Sequence, residues 1–96
     1  MITITAIIQS KPGQETALQD ALLEVAAYVA AHEPGTLGFH VAQSLEDTAI
    51  FTTYERFVDE AAKDTHNGSE AVAQFFAKAP GLIEGDVVLH TCREVT

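Results

Sequence analysis

His66 closes a short stretch of helical character that begins at Asp59, and Asn67-Gly68-Ser69 breaks the chain directly after it. A side chain at such a break can face a cavity, and an imidazole titrates near neutrality. His66 is therefore the first candidate for a general base at pH 7, and the plainer reading of the position is a surface histidine at a helix end. Glu55 shares a strand face with Phe51 and Phe57. A carboxylate among aromatic rings is either paired in burial or turned into a pocket. It could orient His66, bond a substrate hydroxyl, or form a strand-edge salt bridge with Lys63 or Arg93. The Tyr54 phenol could donate to an oxyanion or simply pack between sheets. His40 points away from Phe39 and Val41, to a pocket or to a subunit interface, and His90 has the same two readings. Phe39, Phe51, Phe75 and Phe76 are core candidates that could double as walls, since small-ligand sites are mostly apolar. Together His40, Tyr54 and these four phenylalanines form the expected substrate-binding set around the catalytic pair His66 and Glu55.

Several chemistries lack their residues. The single cysteine, Cys92, cannot form an internal disulfide and reads as a small buried residue. Neither CxxC nor HExxH occurs, so no standard metal motif is present. The net charge is −9, and the five basic residues are scattered, which disfavours nucleic acid and anionic membrane surfaces as partners. No apolar run approaches the roughly 20 residues of a membrane span. The apolar start Ile2–Ile8 has neither the basic lead nor the cleavage site of a signal peptide, so the cytoplasm is the expected location.

The elements that must position these groups follow from periodicity. Ile2, Ile4, Ala6 and Ile8 alternate with their neighbours as a strand does, up to Ser10-Lys11-Pro12-Gly13. Leu18, Leu22, Val25 and Val29 then line one face of a helix that ends before Pro34-Gly35. Leu37–Ser44 and Ala49–Phe57 form two strands around a polar turn, with Leu37, Phe39 and Val41 on one face. After the short helix Asp59–His66, Ser69 caps another helix, which Pro80-Gly81 ends, and Asp86–Val95 is the last strand. The order β-α-β-β-α-β in one domain, residues 1–96, predicts an α+β, ferredoxin-like, four-stranded antiparallel sheet with its helices on one face. The bare face needs a cover, and packing a second copy sheet to sheet would supply one.

The run Glu33-Pro34-Gly35-Thr36-Leu37-Gly38-Phe39, then Phe51-Thr52-Thr53-Tyr54-Glu55-Arg56-Phe57, Asp59-Glu60-Ala61-Ala62, His66 and Phe75-Phe76 resembles a family pattern. That pattern, E-P-G-x-x-x-[FY] … [FY]-x-x-x-E-x-[FWY]-x-D-x-x-A-x-x-x-H … F, belongs to the antibiotic biosynthesis monooxygenase domain, which includes quinol monooxygenases and an isomerase of a signalling carbonyl compound. The resemblance implies a dimeric α/β barrel. It also implies a pocket between sheet and helices, and oxidation of a small phenol or quinol by dioxygen without flavin, haem or metal. Glu33 reads as a local backbone cap, in a loop the family places near the pocket mouth. The chain has no Trp, which the family's aromatic-polyketide oxidisers carry near Arg56–Asp59, and Ser69–Ala79 lacks the histidine that ligates iron in haem-degrading relatives. Two other functions share this framework: an isomerase or tautomerase of a small carbonyl compound, and a non-catalytic dimeric binding protein linked to stress.

Overall fold

The computed structural model describes residues 1–96. The elements are β1 (Ile2–Gln9), α1 (Glu15–His32), β2 (Thr36–Gln43), β3 (Ile50–Phe57), α2 (Glu60–Asn67), α3 (Glu70–Leu82) and β4 (Val88–Arg93). The four strands form one antiparallel sheet in the order β2-β3-β1-β4. This is the ferredoxin-like α+β arrangement that the periodicity predicts, with the second helical segment divided into α2 and α3.

Each helix starts and stops for a local reason. Gly13, at φ +80°, turns the chain out of β1 toward α1, a conformation that suits a residue without Cβ. The α1 stripe Leu18, Ala21, Leu22, Val25 and Val29 is buried against the sheet. The Asp59 side chain accepts from the Ala62 amide and Ser69 accepts from Val72, so α2 and α3 both begin on a side-chain cap. α3 departs from expectation: it runs through Pro80 and Gly81 to Leu82. A proline there forfeits one helical hydrogen bond, but the last turn is held from outside. Lys11 Nζ donates to the Pro80 carbonyl at 2.7 Å, and the Lys11 amide donates to the Leu82 carbonyl at 2.8 Å.

Strand pairing assigns every side chain to a face. Across the sheet, Phe39, Glu55, Ile4 and Thr91 are successive partners, as are Val41, Thr53, Ala6 and Leu89. These rows face the helices, and Ile4, Ala6, Ile8, Phe51 and Phe57 are buried there. The intervening row is His40, Tyr54, Thr5 and His90, which by the pleat lies on the face without helices. Ile7, Tyr54 and Val88 are large apolar side chains left exposed on that face.

One irregularity bears on the site. Between Thr36 and Gly38 the β2–β3 register shifts, so that Thr36 pairs with Phe57 and Gly38 with Arg56. Leu37 is the extra residue of a bulge and is exposed, not turned inward beside Phe39 as simple alternation predicts. The bulge restores Thr36 to the helix side, whereas an unbroken alternation would put it with Gly38 and His40.

Candidate functional site

Three polar side chains from three segments meet under the helices. Glu33 follows α1, Glu55 projects from β3, and His66 stands on the last turn of α2. Two contacts set where α2 lies. Asp59 caps it, and Gly35 approaches it so closely that a Cβ there would stand 2.8 Å from the Ala62 Cβ. The side chains are all buried: His66 is 3% exposed, Glu55 6% and Glu33 7%.

His66 lies between the two carboxylates. Its Nδ1 is 2.9 Å from Glu33 Oε1, in good hydrogen-bond geometry. Its Nε2 is 3.2 Å from Glu55 Oε1, a looser ion-pair contact. Each carboxylate is held by a hydroxyl: Thr36 Oγ1 donates to Glu33 Oε1 at 2.8 Å, and Thr53 Oγ1 donates to Glu55 Oε2 at 2.7 Å. Glu33 Oε2 is buried without any partner. The rings of Phe39 and Phe57 lie 5.5 and 5.4 Å from the imidazole and keep water from it. Burial works against the charged ring, but the hydrogen bonds and negative charges of Glu55 and Glu33 outweigh it and raise the His66 pKa above its usual value. The carboxylates approach opposite edges of the ring, and they do not converge with it into a metal-binding group.

The cluster opens on a cavity between the sheet and α1, α2 and α3. Its walls are apolar except for Thr53, Glu55, His66 and Asn67. The space open to the centre of a water molecule is about 60 Å³. This is well above the roughly 15 Å³ that a single water needs, so the cavity can admit a small guest.

The candidate residues divide by face. His66 and Glu55 are brought together, and Phe39, Phe75 and Phe76 line the cavity with them. Phe51 does not: it pairs with Ile8 further along the strand and is 1% exposed in the core. His40 and Tyr54 do not either. The pleat sends them through the other side of the sheet, where their rings stack at 6.4 Å, so neither can bind a ligand in this cavity. His90 lies in the same outer row, and Cys92, expected to be buried, is exposed. Lys63 pairs with Glu60 and Asp64, leaving Glu55 to His66. Glu33 is the residue that sequence reasoning missed. Its backbone does end α1, with the amide donating to the Val29 carbonyl, but its side chain is a partner of the imidazole 33 positions on, and its place in the E-P-G segment was the available signal. Thr36 and Thr53 were also missed, because nothing in their types separates them from other strand threonines.

The family model described as antibiotic biosynthesis monooxygenase matches residues 1–78. The chain belongs to that family. Among functionally curated proteins, none matches it. Solved structures give the same fold. Protein PA3566 of Pseudomonas aeruginosa is 25% identical with a TM-score of 0.88, the match covering 99% of this chain and 94% of that one. Protein SO0527 of Shewanella oneidensis is 29% identical with a TM-score of 0.87, over 95% and 87% of the two chains. A Caulobacter crescentus protein, described as a candidate antibiotic biosynthesis monooxygenase, is 22% identical with a TM-score of 0.91, over 99% and 90%. The family model ends inside α3, so all three members of the buried cluster fall within the part of the chain that is matched. No helix of this family member is long and apolar enough to cross a membrane.

Proposed function

We propose that the protein is a cofactor-independent monooxygenase that oxidises a neutral, single-ring hydroxylated aromatic with dioxygen. The observation that carries this reading is the buried His66–Glu55 pair at the polar end of a small apolar cavity. A cavity that presents two carboxylate-associated groups and no basic residue other than His66 suits an uncharged phenol better than an anion.

The sequence casts His66 as base and Glu55 as orienter, and the geometry favours exchanging these roles. A protonated imidazole engaged at both nitrogens has no lone pair with which to accept a proton. Glu55 does have acceptor lone pairs on the cavity wall. In this scheme a hydroxyl O–H bond of the ring breaks and its proton goes to Glu55. The resulting phenolate, steadied by the His66 cation, gives one electron to dioxygen, and the phenoxyl–superoxide pair joins through a new ring C–O bond. Protonation yields a hydroperoxide. Loss of the ring hydrogen as a proton, with cleavage of the O–O bond, releases water and leaves a quinone. One oxygen atom enters the product and the other leaves as water, which balances the reaction. The apolar walls keep bulk water from the radical pair.

Oxygen uptake by the metal-stripped protein tests the proposal, against hydroquinones, catechols and naphthols, each corrected for autoxidation. Uptake above the uncatalysed rate on single-ring substrates, lost in Glu55→Gln, is the expected result. No uptake across the panel refutes it. The same pair could enolise a carbonyl compound, and turnover that persists under nitrogen would establish that reading instead. We also propose that the outer face, with Ile7, Tyr54 and Val88 exposed, packs against a second copy to form a homodimer. Val88→Asp is then expected to give a monomer in sedimentation, and a wild-type monomer would overturn this.

A further inference from the structure

The site reading leaves Glu33 without a role, although it makes the shorter of the two contacts to His66. Glu33 Oε1 stands 2.9 Å from Nδ1, and Glu55 Oε1 stands 3.2 Å from Nε2. Thr36 donates to the same Glu33 oxygen that faces the ring, which fixes this carboxylate on the side of the imidazole away from Glu55. Glu33 does not line the cavity, whereas His66 and Glu55 do. Its second oxygen is buried with no donor at all.

We propose that Glu33 is the positioning residue of the site: it grips His66 from behind, fixes the ring with Nε2–H toward Glu55 and the cavity, and keeps the ring cationic. This rests on the reading of His66 as a charge that steadies an anion formed in the cavity. The groups that face His66 are Glu33 from the α1–β2 corner and Glu55 from β3. No other titratable side chain lines the cavity, and Lys63 and Asp64 of α2 pair with each other. An imidazole held by two carboxylates is not free to act as a base. Held by Glu55 alone, it would lose part of the negative charge that favours its protonated form, and Nδ1 would lose the partner that fixes the ring.

The test is nuclear magnetic resonance of the histidine rings in the intact protein, which needs no substrate. The chain has four histidines, and loss of one signal in His66→Gln assigns the ring. In wild type, His66 is expected to carry protons on both nitrogens through neutral pH, with an exchange-protected Nδ1–H. In Glu33→Gln, the amide oxygen can still accept from Nδ1, but the midpoint of His66 should fall by about 1 unit or more, the usual effect of removing an adjacent opposite charge. Glu33→Asp, which keeps the charge, should fall less. A wild-type His66 that titrates at the ordinary value near 6.5 overturns the proposal without recourse to any variant. So does a Glu33→Gln variant whose midpoint is unmoved. Should an oxygenase assay succeed, Glu33→Gln should lower kcat with KM little changed and move the pH profile with the ring. If the assay finds no substrate, the ring titration still decides the role of Glu33, so the two readings fail separately.

Discussion

Removing the His66 ring should cost the fold far more than an exposed histidine would. His66→Ala leaves Glu33 and Glu55, 7% and 6% exposed, without the cation that lies between them. Each keeps one donor, Thr36 for Glu33 and Thr53 for Glu55, so neither is wholly bare. Breaking a buried ion pair by deleting one partner costs about 3–5 kcal/mol, because a charge stays buried without compensation. A domain of this kind is stable by only about 5–15 kcal/mol, so the variant loses a large share of its stability at neutral pH. Urea unfolding of both proteins at one concentration and pH 7.5 measures this. A difference below about 1 kcal/mol at pH 7.5, the scale of an exposed ion pair, would refute the buried-cluster reasoning. It follows that lost turnover in His66→Ala cannot be assigned to chemistry until folding has been checked, and that His66→Gln, which keeps an amide in the gap, is the better probe.

The raised His66 pKa also gives wild-type stability a slope. A group whose folded pKa lies above its unfolded value stabilises fully below the unfolded value, near 6.5, and that contribution disappears as pH rises through the folded pKa. Wild type should therefore weaken from neutral toward alkaline pH in urea titrations, and His66→Gln should lack that part of the slope. Gly35→Ala should destabilise the protein, since its Cβ meets Ala62 of α2 at 2.8 Å and either α2 or the α1–β2 corner must shift; a wild-type melting curve would contradict this. Gly38→Ala, by contrast, meets only the end of the His40 side chain at 2.9 Å, which can rotate away, so its melting temperature should change little in the isolated chain. Asp59→Ala removes the cap of α2 and should cost about 1 kcal/mol in denaturant unfolding, with a larger proportional effect on the His66 ring signal than on the rest of the chain.

Much of the fold was legible because strand and helix periods are local. The stripe Leu18, Leu22, Val25 and Val29 and the alternations in β1 and β3 needed no tertiary information. The capping role of Ser69 was readable for the same reason, whereas Asp59, read as the first helical residue, is the cap of α2, and residue type alone drew attention to His66 and Glu55. What failed depended on distant partners or on parity. Pro80 ends helices in general, but here Lys11, 69 positions away, satisfies its carbonyl and the turn continues. Glu33 could be understood only once the α1–β2 corner was seen against α2. His40 and Tyr54 were attractive for their chemistry, although their own alternation with Phe39 and Glu55 already placed them on the opposite face. Parity is the stricter guide, because a strand residue cannot serve both sides of its sheet.

The bulge at Leu37 makes the site depend on a count as well as on residue identity. Glu33 to Phe39 must contain enough chain for Thr36 to reach back to Glu33 and for Phe39 to reach the cavity, and these two needs have opposite parity unless one residue is spare. Leu37 is that spare residue. Its deletion would remove no group that touches the cluster, yet it would force either Thr36 or Phe39 through the sheet. Substitution at Leu37, which is exposed, should be tolerated, whereas loss of the position should not. The spacing E-P-G-x-x-x-[FY] thus has a mechanical origin: its three unspecified positions are a length of chain, and insertions or deletions there should be the changes that separate working copies of this fold from inert ones.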